Sequence, residues 1–208
     1  MTKEHVNSVA NIHLLSWAHY EISVKLGFRY LKTFYKYIAY DPNSFGYVFI
    51  HDNDILAYAV GFNNYLSFNR NFQENHFVFL IRLALLSFLK TKLKISDILN
   101  ILIDNKKLNL LEHPEYHLGA LAVQTEYMGT QIGRTAVLES IRAVINHLQH
   151  AGYPSCWGCC DERNISMQKT LVNRFGFTNK GIHRQKDRNT VMFEKYFTTV
   201  DELSLIHI

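Results

Sequence analysis

The spacing of apolar residues predicts helices in the N-terminal part of the chain. Residues 6 to 20 carry an apolar or aromatic side chain every three or four positions, which is typical of an amphipathic helix. A second run of this kind follows Gly27 and continues to Ile38. The residues at 41 to 44, Asp-Pro-Asn-Ser, then predict a turn, because these residue types favour turn conformations.

Two short runs rich in aromatic and β-branched residues predict a β-hairpin after this turn. They are residues 45 to 50 and 55 to 62, and the polar residues 51 to 54 separate them. Residues 63 to 113 have a different character and predict two helices inserted between strands. The first predicted helix is almost wholly apolar from 76 to 89, and the second has helical spacing from 95 to 103. Basic residues lie between the two helices, and Pro114 ends the segment.

The rest of the chain alternates strands and helices. Residues 116 to 123 are a continuous apolar run, as in a strand covered on both faces. The predicted elements that follow are a helix from near 132 to Gly152, a strand over 155 to 160, a helix over about 164 to 174, and strands over roughly 178 to 186 and 189 to 197 with a turn at 187 and 188. This order predicts an α/β (α+β) fold with a mixed sheet and helices on both faces. We expect one domain over residues 1 to 208, with a helical insertion at 63 to 113.

Composition and charge narrow the class of protein. Hydrophobic residues make up 48% and aromatic residues 13% of the sequence, enough for a packed core. The net charge of +4 comes from Lys and Arg that are spread along the chain, so we expect a polyanionic small molecule as ligand and no nucleic acid. The first residues resemble no signal peptide, and the apolar stretch at 77 to 89 is shorter than the ~20 residues that span a bilayer.

All three cysteines lie in one short segment, at 156, 159 and 160. A Cys-x-x-Cys pair is a zinc or redox motif, but zinc needs two further ligands and the sequence has no second pair. We therefore expect reduced thiols on a buried strand, no metal, and a cytoplasmic location.

The segment from 116 to 134, a strand that leads through a loop into a helix, carries the candidate chemistry. Gly129 and Gly133 bracket the start of the helix, where unpaired backbone N–H groups and the helix dipole favour an anion. Gly129 lacks a Cβ where a phosphate would approach, Gly133 permits tight packing of the first turn, and Arg134 adds positive charge. The spacing alone also fits a helix that simply begins with small residues.

The same segment resembles motif A of the GNAT acetyltransferases, in which a strand ending in Val precedes an Arg/Gln-x-x-Gly-x-Gly/Ala loop. Aligned on Val123 and Gly133, the match also includes Glu126, Tyr127, Gly129, Ile132 and Arg134. Met128 and Gln131 depart from it, since Arg or Gln and Gly are usual there. Asn164 and Gly176-Phe177 match the next helix, and the N-terminal third is similar to a bacterial subgroup with a helical insertion. The resemblance covers most of residues 4 to 197, but the strand that usually precedes the first helix is missing.

The resemblance implies a sheet that splays between the motif A strand and the next strand, with the pantetheine of acetyl-CoA in the gap. It assigns the pantetheine contacts to the backbone of Leu121, Ala122 and Val123. The CoA pyrophosphate contacts fall on Met128, Gly129, Thr130, Gln131, Ile132, Gly133 and Arg134, with Asn164 as a further CoA contact. A strand amide near Leu121 or Ala122 would stabilise the oxyanion of the tetrahedral intermediate.

The resemblance also suggests catalytic groups. Several members keep a glutamate six residues before the position of Val123, and His117 stands there in this chain. His117 is the candidate base, and we expect it to titrate close to neutral pH; a structural histidine bonded to nearby backbone is the alternative. The usual tyrosine acid falls on Val172, which leaves Ser166, Cys160 or solvent as its replacement.

We therefore predict direct acetyl transfer from acetyl-CoA to a primary amine of a small molecule, amino sugar or peptide. Two alternatives are a CoA-binding sensor without catalysis, which Met128, Gln131 and Val172 favour, and transfer of a longer acyl group. Some of the five tyrosines between residues 19 and 40 are candidates for an acceptor pocket. The insertion could form a lid, a homodimer interface, or a membrane-surface helix with Lys90, Lys92 and Lys94 at the headgroups, and we favour burial or a dimer over the membrane.

Overall fold

Six strands form one mixed sheet. The computed structural model describes residues 1–17, 21–90, 116–184 and 189–197. The strands are β1 Ser44–His51, β2 Asp54–Phe62, β3 His117–Val123, β4 Ser155–Asp161, β5 Thr178–Arg184 and β6 Asn189–Tyr196. They lie in the order β1-β2-β3-β4-β6-β5. Only the β3–β4 pair is parallel among these strands, and all other neighbours are antiparallel.

Six α-helices accompany the sheet in the described residues. They are α1 Val6–Ser16, α2 Ile22–Leu26, α3 Phe28–Ile38, α4 Tyr65–Leu89, α5 Gln131–His150 and α6 Ile165–Phe175. Helix α1 ends at Ser16, four residues before the predicted end, and the short α2 was not predicted. Gly27 separates α2 from α3, with a φ of 82° that favours glycine. Residues Lys3–His5 form a 3-10 helix, so no strand lies ahead of α1 in the described residues.

The sheet is covered on both faces, as the sequence predicted. On one face α1 and α3 pack against β2, with Tyr35 and Tyr58 fully buried between them. On the other face α5 packs against β1, β2 and β3, and Ile141 and Phe193 are fully buried there. Because β2 and β3 contribute side chains to both cores, their sequences read as continuous apolar runs.

The predicted β-hairpin is present. Strands β1 and β2 pair from Ser44 with Phe62 to His51 with Asp54. Asp52 and Asn53 form the turn with φ values of 49° and 67°. Positive φ at both central residues is the requirement of a tight type I′ hairpin turn, and Asp and Asn tolerate it better than most residues.

Helix α4 is longer than the sequence suggested. It begins at Tyr65, where the Asn64 side chain caps it by accepting the Ser67 N–H at 2.8 Å, and it continues for 25 residues. Phe68 and Phe72 pack against Phe34 of α3. The apolar run begins only at residue 76, so the polar first turns concealed the helix start from sequence reasoning.

The outer side of α4 remains apolar. Phe77, Val78, Leu85 and Leu89 are exposed there. By length and composition alone α4 is apolar enough to cross a membrane, and it is the one such helix in the described part of the chain. The second predicted helix, Lys92, Lys94 and Pro114 lie outside the described residues. A lid, a dimer interface and a membrane-surface helix therefore all stay predictions.

Candidate active site

A cleft opens between the two parallel strands. β3 and β4 pair only at their start, where His117 lies beside Trp157 and Leu118 beside Gly158. The described residues show no β3–β4 pair after Leu118, whereas β4 stays paired with β6 from Ser155 to Asp161. The two strands therefore separate after Leu118, and the splay expected from the sequence is confirmed.

A β-bulge in β3 explains the separation. Leu121 is level with Ala59 of β2 and Leu118 with Gly61, so Gly119 and Ala120 together stand opposite the single residue between them. A bulge of this kind bends the strand that carries the extra residue. The Phe62 ring covers the bulge, since a Cβ on Gly119 would lie 2.4 Å from the ring atom Cε2. The bend thus depends on a glycine at 119.

The backbone of β3 presents alternate residues to the cleft. The Gln124 N–H donates to Leu56 O at 2.8 Å, and the Gln124 side chain donates to Ile55 O at 2.7 Å. Since alternate residues of a strand direct their N–H and C=O groups to opposite edges, Leu121 and Val123 face the cleft. Ala122, level with Tyr58, directs its N–H to β2. Leu121 is therefore the amide of the two predicted ones that is placed to meet an oxyanion in the cleft.

The loop after β3 ends in a capped helix. Thr130 is the N-cap of α5: its Oγ1 accepts the Gly133 N–H at 3.1 Å and donates to Tyr127 O at 2.8 Å. The Arg134 N–H donates to Thr130 O at 3.1 Å. The amides of the first helical residues, Gln131 and Ile132, precede any intrahelical acceptor, which is the usual setting of an anion site.

The two glycines of this loop have different roles. Gly129 has a φ of 80°, which favours glycine, and a Cβ there would meet nothing within 4 Å. Gly133 is enclosed, because a Cβ would lie 2.0 Å from Tyr127 O. The loop is thus tightly packed on the side of Gly133 and open to solvent on the side of Gly129. Met128, Gln131 and Arg134 are exposed. This open, N–H-lined surface fits a pyrophosphate group.

His117 lies at the start of the cleft beside aromatic rings. Its ring stacks on Tyr65 of α4, with centroids 5.5 Å apart, and lies 6.5 Å from the Phe62 ring. Burial lowers the pKa of His117 to about 4. The expectation of titration close to neutral pH is therefore wrong, since the surrounding rings disfavour the imidazolium. At neutral pH the ring is uncharged, so one nitrogen can accept a hydrogen bond, and the low pKa makes it a weaker base than a free imidazole.

The candidate acids show no arrangement suited to that role. Val172 is 41% exposed on α6, and Ser166 is exposed in the first turn of the same helix. The pKa of the Cys160 thiol is raised to about 12 by burial and by the neighbouring Cys159 and Asp161. A thiol with this pKa is a weaker acid than CoA itself, whose thiol resembles cysteine at ~8.5.

Asn164, predicted to contact CoA, caps α6 in the structure. Its Oδ1 accepts the Met167 N–H at 3.1 Å, which satisfies one of the unpaired amides of that helix start.

The three cysteines are free thiols. The described ranges contain no group of three or more His, Cys, Asp and Glu side chains that could hold a metal.

Sequence reasoning missed the contribution of α1 to the cleft. Ser16, the last residue of α1, donates its hydroxyl to Val123 O at 2.7 Å. His13, one turn earlier, is buried and bonded to the hydroxyls of Tyr35 and Tyr58. Spacing along α1 places His13 and Ser16 on one side of the helix, but only the folded structure brings residue 123 to them.

Solved structures of acetyltransferases share this fold. An N-acetyltransferase from Staphylococcus aureus Mu50 matches with a TM-score of 0.57 at 11% identity, over 94% of each chain. A probable GNAT-family acetyltransferase from Chromobacterium violaceum ATCC 12472 matches with a TM-score of 0.54 at 13% identity, over 94% of this chain and 84% of that one. The PaiA N-acetyltransferase from Thermoplasma acidophilum, solved with coenzyme A, matches with a TM-score of 0.52 at 13% identity, over 95% and 96%. No family model and no curated protein matches the sequence.

We predict that Gly133→Ala destabilises the loop. The new Cβ would have to displace the Tyr127 carbonyl, which belongs to the backbone, so we expect a loss of about 1–3 kcal/mol in the free energy of unfolding. Gly158→Ala is the matched control, since its Cβ would meet Leu118 at an ordinary 3.7 Å. Denaturant unfolding measures both variants. Equal stabilities for them would contradict the tight closure of this turn.

Proposed function

Because this chain has the GNAT fold, we propose that it is an acetyl-CoA-dependent N-acetyltransferase that acts on a primary amine of a small molecule, amino sugar or peptide. One observation carries the proposal: a cleft runs along β3 after Leu118, and a helix N-terminus bracketed by Gly129 and Gly133 follows the end of the same strand. A ligand with an extended thiol-bearing arm would place this arm in the cleft, and an anionic group joined to the arm would lie at the helix N-terminus.

The donor would bind mainly to backbone. The pantetheine arm lies along β3 with its amides facing those of Leu121 and Val123, as an added strand would. The pyrophosphate lies above the loop from Met128 to Arg134, where the N–H groups of Gln131 and Ile132 and the Arg134 side chain meet it. Met128 and Gln131 replace the usual residues, but backbone amides supply most of the contacts, so binding survives these departures.

The reaction is direct transfer. The acceptor nitrogen forms a bond to the thioester carbonyl carbon, the Leu121 N–H stabilises the resulting oxyanion, and the C–S bond breaks to release CoA thiolate. An alkylammonium has a pKa near ~10 and must lose one proton before attack. His117, the candidate base, accepts a hydrogen bond from a water molecule that carries this proton to solvent. After attack the nitrogen loses its second proton, which reaches the thiolate through solvent as the C–S bond breaks.

A second candidate function is CoA binding without catalysis. The position of the usual tyrosine acid holds Val172, an exposed side chain with no proton to give. A protein of this kind would act as a CoA sensor or assembly partner. Acetyl transfer nevertheless remains the leading proposal, because a CoA thiolate is an adequate leaving group without an acid.

Binding and turnover together test the proposal. We expect acetyl-CoA to raise the melting temperature, because a ligand of the native state stabilises it by mass action. We also expect release of free CoA thiol on addition of a suitable amine from a panel of polyamines, amino sugars and peptides. A thermal shift without thiol release across the panel would favour the CoA sensor. No shift with either CoA or acetyl-CoA would exclude both functions.

Replacement of His117 tests the proposed base. We expect His117→Gln to lower kcat about 10²-fold with little change in the affinity for CoA, since proton removal is lost and the donor site is intact. Because burial lowers the pKa of His117 to about 4, the ring stays neutral and the ratio of wild-type to variant kcat should be constant from pH 6 to 8. His51→Gln, at the exposed end of β1, is the control. A kcat of His117→Gln equal to that of wild type would contradict the assignment, and a ratio that falls towards one below pH 6.5 would contradict the low pKa.

A further inference from the structure

The C-terminal end of α1 reaches the open edge of β3. The Ser16 hydroxyl donates to Val123 O at 2.7 Å, across 107 residues of sequence. Val123 is one of the two residues whose backbone faces the cleft, so this bond lies on the edge where the pantetheine would lie. Ser16 is half-buried, so part of its surface remains accessible.

The bond from Ser16 to Val123 changes which hydrogen-bonding groups the open edge of β3 presents to a ligand. A serine hydroxyl that donates its one hydrogen keeps two lone pairs as acceptors. Ser16 therefore occupies the Val123 carbonyl and presents a new acceptor in front of it, displaced outwards by the length of one hydrogen bond. An N–H of an extended arm in the cleft would meet this oxygen before it met the carbonyl.

A buried polar network holds the end of α1 in place. His13 Nδ1 lies 2.6 Å from the Tyr35 hydroxyl and 2.9 Å from the Tyr58 hydroxyl, and His13 Nε2 lies 3.1 Å from the Ser23 hydroxyl. Burial lowers the pKa of His13 to about 3, so the ring is neutral and uses one nitrogen as donor and the other as acceptor. These bonds connect α1 with α2, α3 and β2.

Trp17 completes the anchor. Its ring stacks on the His13 ring with centroids 4.6 Å apart and planes 8° apart. Trp17 directly follows Ser16, and the backbone N–H of Trp17 donates to His13 O at 3.0 Å. His13 before Ser16 and Trp17 after it are both anchored, so the position of Ser16 is set before a ligand binds. A donor group on the ligand would find the hydroxyl already oriented, with little ordering entropy to lose.

From this geometry we infer that Ser16 is a CoA-binding residue, whose hydroxyl connects the Val123 carbonyl to an amide N–H of the pantetheine arm. His13 is a positioning residue, which acts through α1. The inference rests on the proposed function, since it requires that CoA lies in the cleft. It adds a side-chain contact from the N-terminal helix to a site that is otherwise formed by backbone.

Two ligands separate this contact from a purely structural role. CoA contains the pantetheine arm, whereas adenosine 3′-phosphate 5′-diphosphate keeps the pyrophosphate but lacks the arm. We expect Ser16→Ala to weaken CoA binding threefold to tenfold in calorimetry and to leave binding of the shorter ligand unchanged. Ser16→Thr keeps a hydroxyl and should bind CoA nearly as wild type does. Thr33→Ala, which removes a hydroxyl bonded to the Arg29 carbonyl within α3, is the matched control.

The outcomes are distinct. If Ser16→Ala weakens both ligands equally, or neither, the contact with pantetheine is excluded while the proposed function stands. If wild-type protein binds neither ligand, the proposed function fails and this inference fails with it. Retained CoA affinity in Ser16→Ala at a melting temperature equal to that of wild type would also overturn the assignment.

Discussion

The separation of β3 from β4 is the constraint on which the candidate site depends. The two strands are parallel neighbours in the middle of the sheet, yet they share only two residue pairs. The bulge at Gly119 and Ala120 bends β3 where the Phe62 ring lies against it, and β6 holds β4 in place along its whole length. Backbone groups that a continuous sheet would satisfy are therefore left for another extended chain. Backbone N–H and C=O groups left unpaired in this way need hydrogen-bonding partners, and the amides of a pantetheine arm would supply them.

Local chemistry made much of this fold predictable. The hairpin follows from aromatic and β-branched runs on either side of Asp52 and Asn53, two residues that accept positive φ. The loop before α5 follows from Gly129, Gly133 and the small polar Thr130, which caps the helix that it precedes. In each case the residues that determine the structure lie within a few positions of one another, and a single sequence displays them. The loop and the helix start that follow β3 were therefore predicted from the sequence, and the binding of a pyrophosphate there is part of the proposal.

Contacts between distant segments decided the rest. The low pKa of His117 depends on Tyr65 and Phe62, which no spacing in the sequence relates to it. The bulge is a property of the pairing between β2 and β3 and is invisible in either strand alone. The bond from Ser16 to the Val123 carbonyl joins residues 107 positions apart. These features determine how the cleft is shaped, so its geometry was harder to predict than the loop before α5.

The most direct measurement is a crystal structure of the protein with CoA. We expect pantetheine between β3 and β4, with its amides on the backbone of Leu121 and Val123. The pyrophosphate should lie on the first turn of α5, between Gly129 and Arg134. The thiol should then end beside Leu121, directed towards the start of the cleft where His117 lies. CoA bound elsewhere, or a β3–β4 ladder that continues past Leu118 and fills the cleft, would contradict it.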